Sequence, residues 1–463
     1  MAQVFSSFEE GSGSPPPRAS SPASFFGLGV FRLVMLVLLV ATAPTVANIQ
    51  TGCAPSYDPT EDYFPDKADP GHADDFSITY FLNYKLVENT RTNETFALYQ
   101  CGTPAPTGLN SSVKVFPIPF STIAITSTVE ITFLEMLGVR TSIKYVQDPE
   151  YITSTCLQAM VVAGVTQALS YNTTIMDQQV AEVQGVFVDS ADPSQPKFIS
   201  CSTSEDPGAL HRPAWIFFMA VFYNLETQAT SIYQAILTRY DCVSTLGQTS
   251  AAKPPKVAWV DYQTYQPTNW WVIDTAQYKL DYVNSLGAVT VAPTVNTFPN
   301  PEAWQVAMQD VDIVIDETYL GNMSDFYANF GLSSSSNFKF IANGQVWRFD
   351  KLQNDLGSLD WFESAIPNAD AVLEDLLTIF KPEVSFAHTR IWFRNSYFGD
   401  PVVVDGAGRC PNYSAPATDL ADPCTIPTPT TPHSSQAFSV TQAAVSFALT
   451  LTLVLISWAV LLA

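Results

Sequence analysis

The chain has 463 residues, with 44 acidic against 21 basic side chains and a net charge of −23 at pH 7. So acidic a surface repels a phosphate backbone, which excludes nucleic acid as a partner. Hydrophobic residues make up 47% of the sequence; the ~350 residues between its terminal signals exceed what one core usually serves, so two lobes are expected.

The first segment, 1–47, reads as a signal peptide. Leu33 to Ala43 form an apolar run with Arg18 and Arg32 upstream, and the small residues Thr45-Val46-Ala47 follow, with cleavage expected after Ala47. The run is shorter than the roughly 20 apolar residues of a spanning helix. Its removal takes away two basic and two acidic residues (Arg18, Arg32, Glu9, Glu10) and leaves the net charge unchanged. All 7 cysteines lie beyond it, in what would be an oxidising compartment where disulfides are expected. Connectivity does not follow from sequence; proximity suggests Cys53 with Cys101, Cys156 with Cys201 and Cys410 with Cys424, leaving Cys242 free. Sequons at Asn93, Asn110, Asn172, Asn322 and Asn412 suit a glycosylated surface.

After an N-terminal extension, 48–110, the first lobe is expected over 111–224. Thr122 to Ile125 reads as a short buried strand, Thr128 to Leu137 as an amphipathic helix, and Ser142 to Val146 and Val186 to Asp189 as further strands. Pro213 to Tyr223 and Leu225 to Tyr240 read as consecutive helices, the second placing a bridging helix at 225–250. The alternation then restarts over 251–385: strand Lys256 to Val260, helix Thr275 to Leu286, strand Ala288 to Ala292, helix Glu302 to Met308, and strands Val311 to Ile315 and Phe338 to Ile341. Short apolar runs alternating with helical segments are the signature of parallel sheets covered by helices, so the fold class is α/β, with two Rossmann-like lobes joined by a long bridging helix. A C-terminal extension, 386–424, rich in aromatic and cationic residues at Phe386 to Tyr397, leads to a Pro/Thr-rich stalk, 425–435. The last segment, 436–463, contains the uncharged apolar run Ala444 to Ala463. Small residues around Ser435 precede it, the layout of a signal for a glycosylphosphatidylinositol anchor at Ser435 that would hold the protein on the outer face of a cell membrane. An ordinary spanning anchor is the alternative.

Four segments resemble the periplasmic substrate-binding proteins of the siderophore, haem and vitamin B12 type. Ile123 to Val139 (IAITSTVEITFLEMLGV) looks like that family's opening strand, Ser/Thr-rich turn and first helix. Leu210 to Leu225 is similar to the approach to its bridging helix, Val311 to Tyr319 (VDIVIDETY) to a strand at the second lobe's cleft, and Gln345 to Val384 to its closing strand and final helix. Residues 48–110 and 386–430 have no counterpart in that family's core. The resemblance implies a non-enzymatic protein that captures an extracellular small molecule, with an iron-siderophore or related metal chelate as the leading class, in a cleft between the lobes. No cofactor is implied, and a transporter or reductase that would receive the ligand is unknown.

In such a fold the site lies at the C-terminal ends of the strands. The expected ligand residues are therefore Thr128 at a helix N-terminus, Tyr145, Arg212, the aromatic group Tyr262, Tyr265, Trp270 and Trp271 on a loop after strand 256–260, and Tyr319. Flat ring faces suit a large chelate, whereas a bare cation needs several hard or imidazole ligands. Several of these residues also have a structural reading: Thr126 to Thr128 with Glu130 would cap a helix, one of the adjacent tryptophans would face the interior, Tyr319 would be a core tyrosine, and Arg212 with His211 would be a solvated helix start. Two competing functions remain. A secreted hydrolase would have to use His211 or His388 beside an activated serine, yet no G-x-S-x-G elbow, H-E-x-x-H, P-loop or G-x-G-x-x-G occurs. A ligand-free adhesion or cell-wall scaffold would show a cleft closed by packing, and a binding protein an open aromatic one.

Overall fold

The computed structural model describes residues 47–265, 268–319, 321–417 and 419–426. The expected leader up to residue 46, the expected stalk beyond 426, Ser435 and the expected anchor signal 436–463 lie outside the described residues. Among those described, no helix is long and apolar enough to cross a membrane.

The extension opens with three antiparallel strands, β1 (Phe76–Tyr80), β2 (Tyr84–Asn89) and β3 (Glu94–Gln100), and β3 pairs in parallel with β4 (Lys114–Ile118). This sheet shares the first lobe's core: Phe96 and Phe116 pack edge-on against Phe222, beside Phe218. Lobe 1 itself is a five-stranded sheet in the order β7-β6-β5-β8-β9, parallel throughout. The strands are β5 (Ile123–Ile125), β6 (Ile143–Val146), β7 (Gln167–Ala168), β8 (Gly185–Val188) and β9 (Phe198–Ser200), with helices α1 (Val129–Met136), α2 (Thr155–Val162) and α3 (Thr173–Ala181) between them. Its central strands are apolar on both faces because helices cover both.

Helix α4 (His211–Ala220) is buried from Pro213 onward and leads through Asn224, in the left-handed region at φ 59°, into α5 (Glu226–Thr249). At 24 residues, α5 is about 36 Å long and bridges the lobes. Ala229 and Tyr233 on its first half belong to the lobe 1 core, and Tyr240, Val243 and Leu246 on its second half to the lobe 2 core.

Lobe 2 is built on β10 (Lys256–Tyr265), β11 (Thr268–Asp274), β12 (Val289–Thr290), β13 (Thr297–Phe298), β14 (Ile313–Asp316) and β15 (Val346–Arg348), with β16 (Arg394–Asn395) returning from the C-terminal extension to pair with β15. Helices α6 (Gln277–Ser285), α7 (Pro301–Ala307), α8 (Met323–Asn329), α9 (Lys339–Ala342) and α10 (Ala369–Phe380) cover it. The chain thus forms the expected α/β architecture, with two corrections. Phe338 to Ile341, expected as a strand, is an N-cap and a short helix. An apolar run of four residues cannot distinguish the two periods, and Gly344 at φ 65° turns the chain so that β15 takes the place beside β14. The expected loop after strand 256–260 is instead the β10–β11 hairpin, because β-branched and aromatic residues continue the alternation through Tyr265.

Two disulfide expectations fail as well. Cys53 does bond Cys101, but Cys156 on α2 bonds Cys410 and Cys242 on α5 bonds Cys424, while Cys201 is the free, buried thiol. The C-terminal extension leaves lobe 2 and lies across α2 and α5, which brings Cys410 and Cys424 to partners 254 and 182 residues away. It acts as a strap. Arg140 of lobe 1 donates to the strap carbonyls of Tyr413 and Ala415 at 2.6 and 3.0 Å.

Candidate ligand site between the lobes

The lobes meet along two seams. In one, Glu363 accepts from the backbone N–H groups of Thr153 and Ser154 at 2.8 and 2.7 Å, Thr153 Oγ1 donates to Asp360, and Asn354 donates to the carbonyls of Glu150 and Ile152. These bonds fix lobe 1's loop after β6 to the segment after β15. A recess of about 570 Å³ lies between this seam, α1, α5 and the strap. Its charges are spent on structure: Arg140 pairs with Glu135, and Arg239 with Asp370 and Asp419.

The other seam holds the candidate site. The segment after β9 brings Ser204 and Asp206 next to the start of α4. Arg212 there donates from Nε to the Asp206 carbonyl at 3.0 Å and from Nη2 to the Ser204 carbonyl at 2.7 Å. So held, its guanidinium reaches across to lobe 2 and lies over Tyr278, with Cζ 3.6 Å from the ring centre. A second bond crosses beside it, from the Ala209 N–H to Asp281 of α6 at 3.1 Å. Between these contacts is a pocket of about 200 Å³ lined by Ser204, Arg212, Tyr278, Tyr282, Trp361 and Phe362, among others. Tyr278 and Tyr282 are one helical turn apart on α6 and present one face. Trp361 is buried and its neighbour Phe362 is 51% exposed, so adjacent aromatics serve two surfaces.

Next to Tyr278, outside the pocket lining, lies an ionic cluster of lobe 2. Lys279 is buried between Asp274 and Glu317 and sits over Trp259, 5.4 Å from the ring centre. Burial pushes the Glu317 carboxyl up to about 7, with Lys279 pulling against it, and burial raises the Tyr278 phenol as well. Further along the strand ends Arg348 ties Asp316 to Asp350, and Arg394 closes on Asp350 at 2.6 Å. These pairs leave Arg212 as the cation at the mouth of the aromatic pocket.

Of the residues the sequence nominated, Arg212 lines this pocket, and Thr128, Tyr145, Tyr262, Trp270, Trp271 and Tyr319 do not. Tyr262 and Trp271 meet in a tilted pair with ring centres 5.3 Å apart, Tyr262 meets Phe330 edge-on, and Trp271 Nε1 donates to the Asn329 carbonyl at 2.7 Å, so both pack on lobe 2's α7–α8 side. Trp270 points to the other face of the hairpin, in register with Gln263, and Tyr265 stands opposite Thr268 at the turn. Tyr145 is buried in lobe 1 and donates to Glu182 at 2.8 Å. Tyr319 is 70% exposed on a turn rather than in a core. Thr128 is the N-cap residue of α1 but makes no capping bond, since its helical φ/ψ of −81°, −12° turns the hydroxyl away. Glu130, expected to complete that cap, is buried with both carboxyl oxygens unpartnered, and burial raises its pKa well above the usual range. The sequence reading missed Ser204, Tyr278, Tyr282, Trp361 and Phe362. The i,i+4 tyrosine pair beside a lysine was the legible signal.

No family profile matches the chain, and no curated protein matches it. Solved structures similar in fold include a periplasmic binding protein from Veillonella parvula, 14% identical over 59% of this chain and 89% of that one, with a TM-score of 0.42. A periplasmic heme binding protein from Pseudomonas aeruginosa (12% identity, 58% and 96% covered, TM-score 0.40) and a periplasmic vitamin B12 binding protein of Vibrio cholerae (10% identity, 58% and 100% covered, TM-score 0.39) are further examples.

Proposed function

We propose that the chain is a solute-binding protein of the cell surface whose inter-lobe pocket takes a compact anionic ligand with a flat face. The observation that carries this reading is Arg212, fixed by lobe 1 carbonyls and laid on lobe 2's Tyr278 at the mouth of an aromatic pocket. An aromatic floor offers stacking area and a single oriented guanidinium offers two donors to a carboxylate or catecholate. The chelate class comes from the sequence resemblance. A volume of about 200 Å³ falls below the roughly 300–1,000 Å³ of drug-sized sites, which narrows the class to a small catecholate-type chelate, or the aromatic arm of a larger one. A catalytic role for His388 is disfavoured by its position, clasped between Asp375 and Asp422.

Calorimetric titration of the mature ectodomain with the ferric complex of 2,3-dihydroxybenzoate tests the reading. Arg212→Gln and Phe362→Ala are each expected to weaken binding at least about tenfold, the scale of a truncated hot-spot contact, with Tyr262→Ala as an indifferent control. Equal binding by all variants, or no binding by the wild type, would overturn it.

A second reading, the scaffold, is favoured by the strap and the hydrogen-bonded seam, which hold the lobes together. Loss of every ligand heat with an unchanged fold would select it.

The surface location rests on the signal peptide 1–47, the exposed sequons Asn93, Asn110, Asn172, Asn322 and Asn412 and the anchor signal near Ser435. Phosphatidylinositol-specific phospholipase is expected to release the protein from intact cells. Retention beside a released control anchor would instead indicate a spanning helix.

A further inference from the structure

Helix α10 buries Glu374 and Asp375 on the side away from the sheet, where residues 386–393 and 419–424 of the C-terminal extension cover them. A carboxylate pair is left buried on a helix only where something compensates it. Asp375 is satisfied by backbone: its oxygens accept from the N–H groups of Ile391, Trp392 and Phe393 at 2.8 to 3.1 Å, and it also lies 2.6 Å from His388 Nε2. That contact fixes the ring. In the neutral ring with Nε2–H donating to Asp375, the lone pair would be on Nδ1, which faces Asp422 at 2.8 Å and Glu374 at 3.3 Å.

The geometry points to a site for a divalent first-row transition cation of the zinc type, with His388 Nδ1 and the carboxylates of Glu374 and Asp422 as ligands and Asp375 as the residue that orients the imidazole. Four observations carry it. The three ligand atoms all lie within 4.8 Å of one another, close enough for one ion to draw them onto bonds of about 2.0–2.2 Å. Glu374 Oε1 is fully buried with no hydrogen-bond partner, a lone pair without a function in the protein alone. The carboxylate–histidine contact through Nε2 is the outer-shell arrangement that metal-ligating histidines use to set tautomer and basicity. The His388 side chain is 1% exposed whereas Asp422 is 44% exposed, so the cluster is closed on the α10 side and open on one side to an entering ion. Three protein ligands, one of them imidazole, suit a four-coordinate zinc-type ion. Calcium would call for six to eight oxygens, which the cluster does not supply.

The site would fasten the strap. Asp422 lies two residues before Cys424, which bonds Cys242 on α5, so ion and disulfide would anchor the same turn to α10 and α5. The bound ion would be structural, with no bearing on the Arg212 pocket.

The test uses the whole ectodomain stripped with a chelator and titrated with zinc chloride, followed by calorimetry and thermal melts. One equivalent is expected to bind and to raise the melting temperature by several degrees, since ligand that binds only the folded form stabilises it. Asp422→Asn, at the exposed edge, should bind zinc at least tenfold more weakly and show a smaller zinc-induced rise over its own metal-free melt. Glu374→Gln, of the same shape, should do likewise. Calcium chloride should produce neither heat nor shift. Absence of a one-site heat in the wild type would overturn the assignment and leave His388 as an imidazolium clasp. Zinc binding unaltered in Asp422→Asn, or calcium binding as well as zinc, would also overturn it.

Discussion

Replacing Cys156 and Cys410 together by alanine is expected to lower the stability of the folded chain by about 5 kcal/mol, the upper end of what a disulfide contributes. The bond closes a loop with a sequence separation of 254 residues, and in the chain-entropy account the restriction of the unfolded chain grows with the logarithm of that loop. It also ties α2 of lobe 1 to a strap that originates in lobe 2, so its loss frees the seam at Thr153 and Glu363 to open. A drop in melting temperature of roughly 10 °C should accompany it. The comparison with Cys53 and Cys101 sharpens the expectation. That bond spans a separation of 48, whereas the loop closed by Cys156–Cys410 with Cys242–Cys424 in place is roughly 100 residues, so removal of Cys53–Cys101 should cost about 0.7 kcal/mol less on loop length alone. Denaturant melts of the two double variants decide the matter. An undiminished stability without Cys156–Cys410, or a larger loss at Cys53–Cys101, would show that the strap does not hold the lobes.

Lys85→Met is expected to cost about 3–5 kcal/mol, the usual penalty for removing one partner of a buried ion pair. Lys85 on β2 and Glu226 at the start of α5 are both fully buried and paired. The ammonium also donates to the Val221 carbonyl at 3.0 Å and to Asn224 Oδ1 at 2.7 Å, and it stands 4.4 Å from the centre of the Phe64 ring. Burial lowers the Lys85 pKa, while Glu226 acts to raise it and keep the charge. Methionine fills the space but leaves the Glu226 carboxylate without the ammonium, in the apolar junction between the N-terminal sheet and the bridging helix. The double variant Lys85→Met, Glu226→Gln removes both charges at similar volume and should recover a large part of the loss. Urea melts of the two variants and the wild type measure both terms. A single variant that loses under about 1 kcal/mol would mean that the pair sets register at no cost to stability.

Much of the secondary structure was legible because it is written in local periodicity. The apolar triplet Ile123 to Ile125, the run from Pro213 to Tyr223 and the amphipathic stretch from Leu225 became strand, buried helix and bridge, since each pattern has one dominant way to bury itself. Four residues such as Phe338 to Ile341 carry too little period to choose, and there Gly344 and the position of β15 decided. The site was hardly legible. Arg212 stood out as a cation at the start of a helix. Tyr278 and Tyr282 fell inside one more helical stretch, and Trp361 and Phe362 inside the segment leading to the final helix, because nothing local says which residues a second lobe will meet. The aromatic group at Tyr262 to Trp271 misled for the same reason: its alternation built a hairpin that turns Tyr262 and Trp271 onto Phe330 and away from the cleft.

The sequence by itself determined the acidic character, the alternation that makes two α/β lobes and the long helix between them, all of which follow from composition or from neighbours along the chain. Only the tertiary structure decided the rest. The C-terminal extension had no partner that its own residues could name; once laid across α2 and α5 it brought Cys410 within 4.9 Å of Cys156 and Cys424 within 6.1 Å of Cys242, Cα to Cα, and His388 and Asp422 onto Glu374. A disulfide or an ion site needs side chains a few ångströms apart, and for residues separated by 182 or 254 positions that distance is a property of how the lobes and strap pack, which no local pattern records.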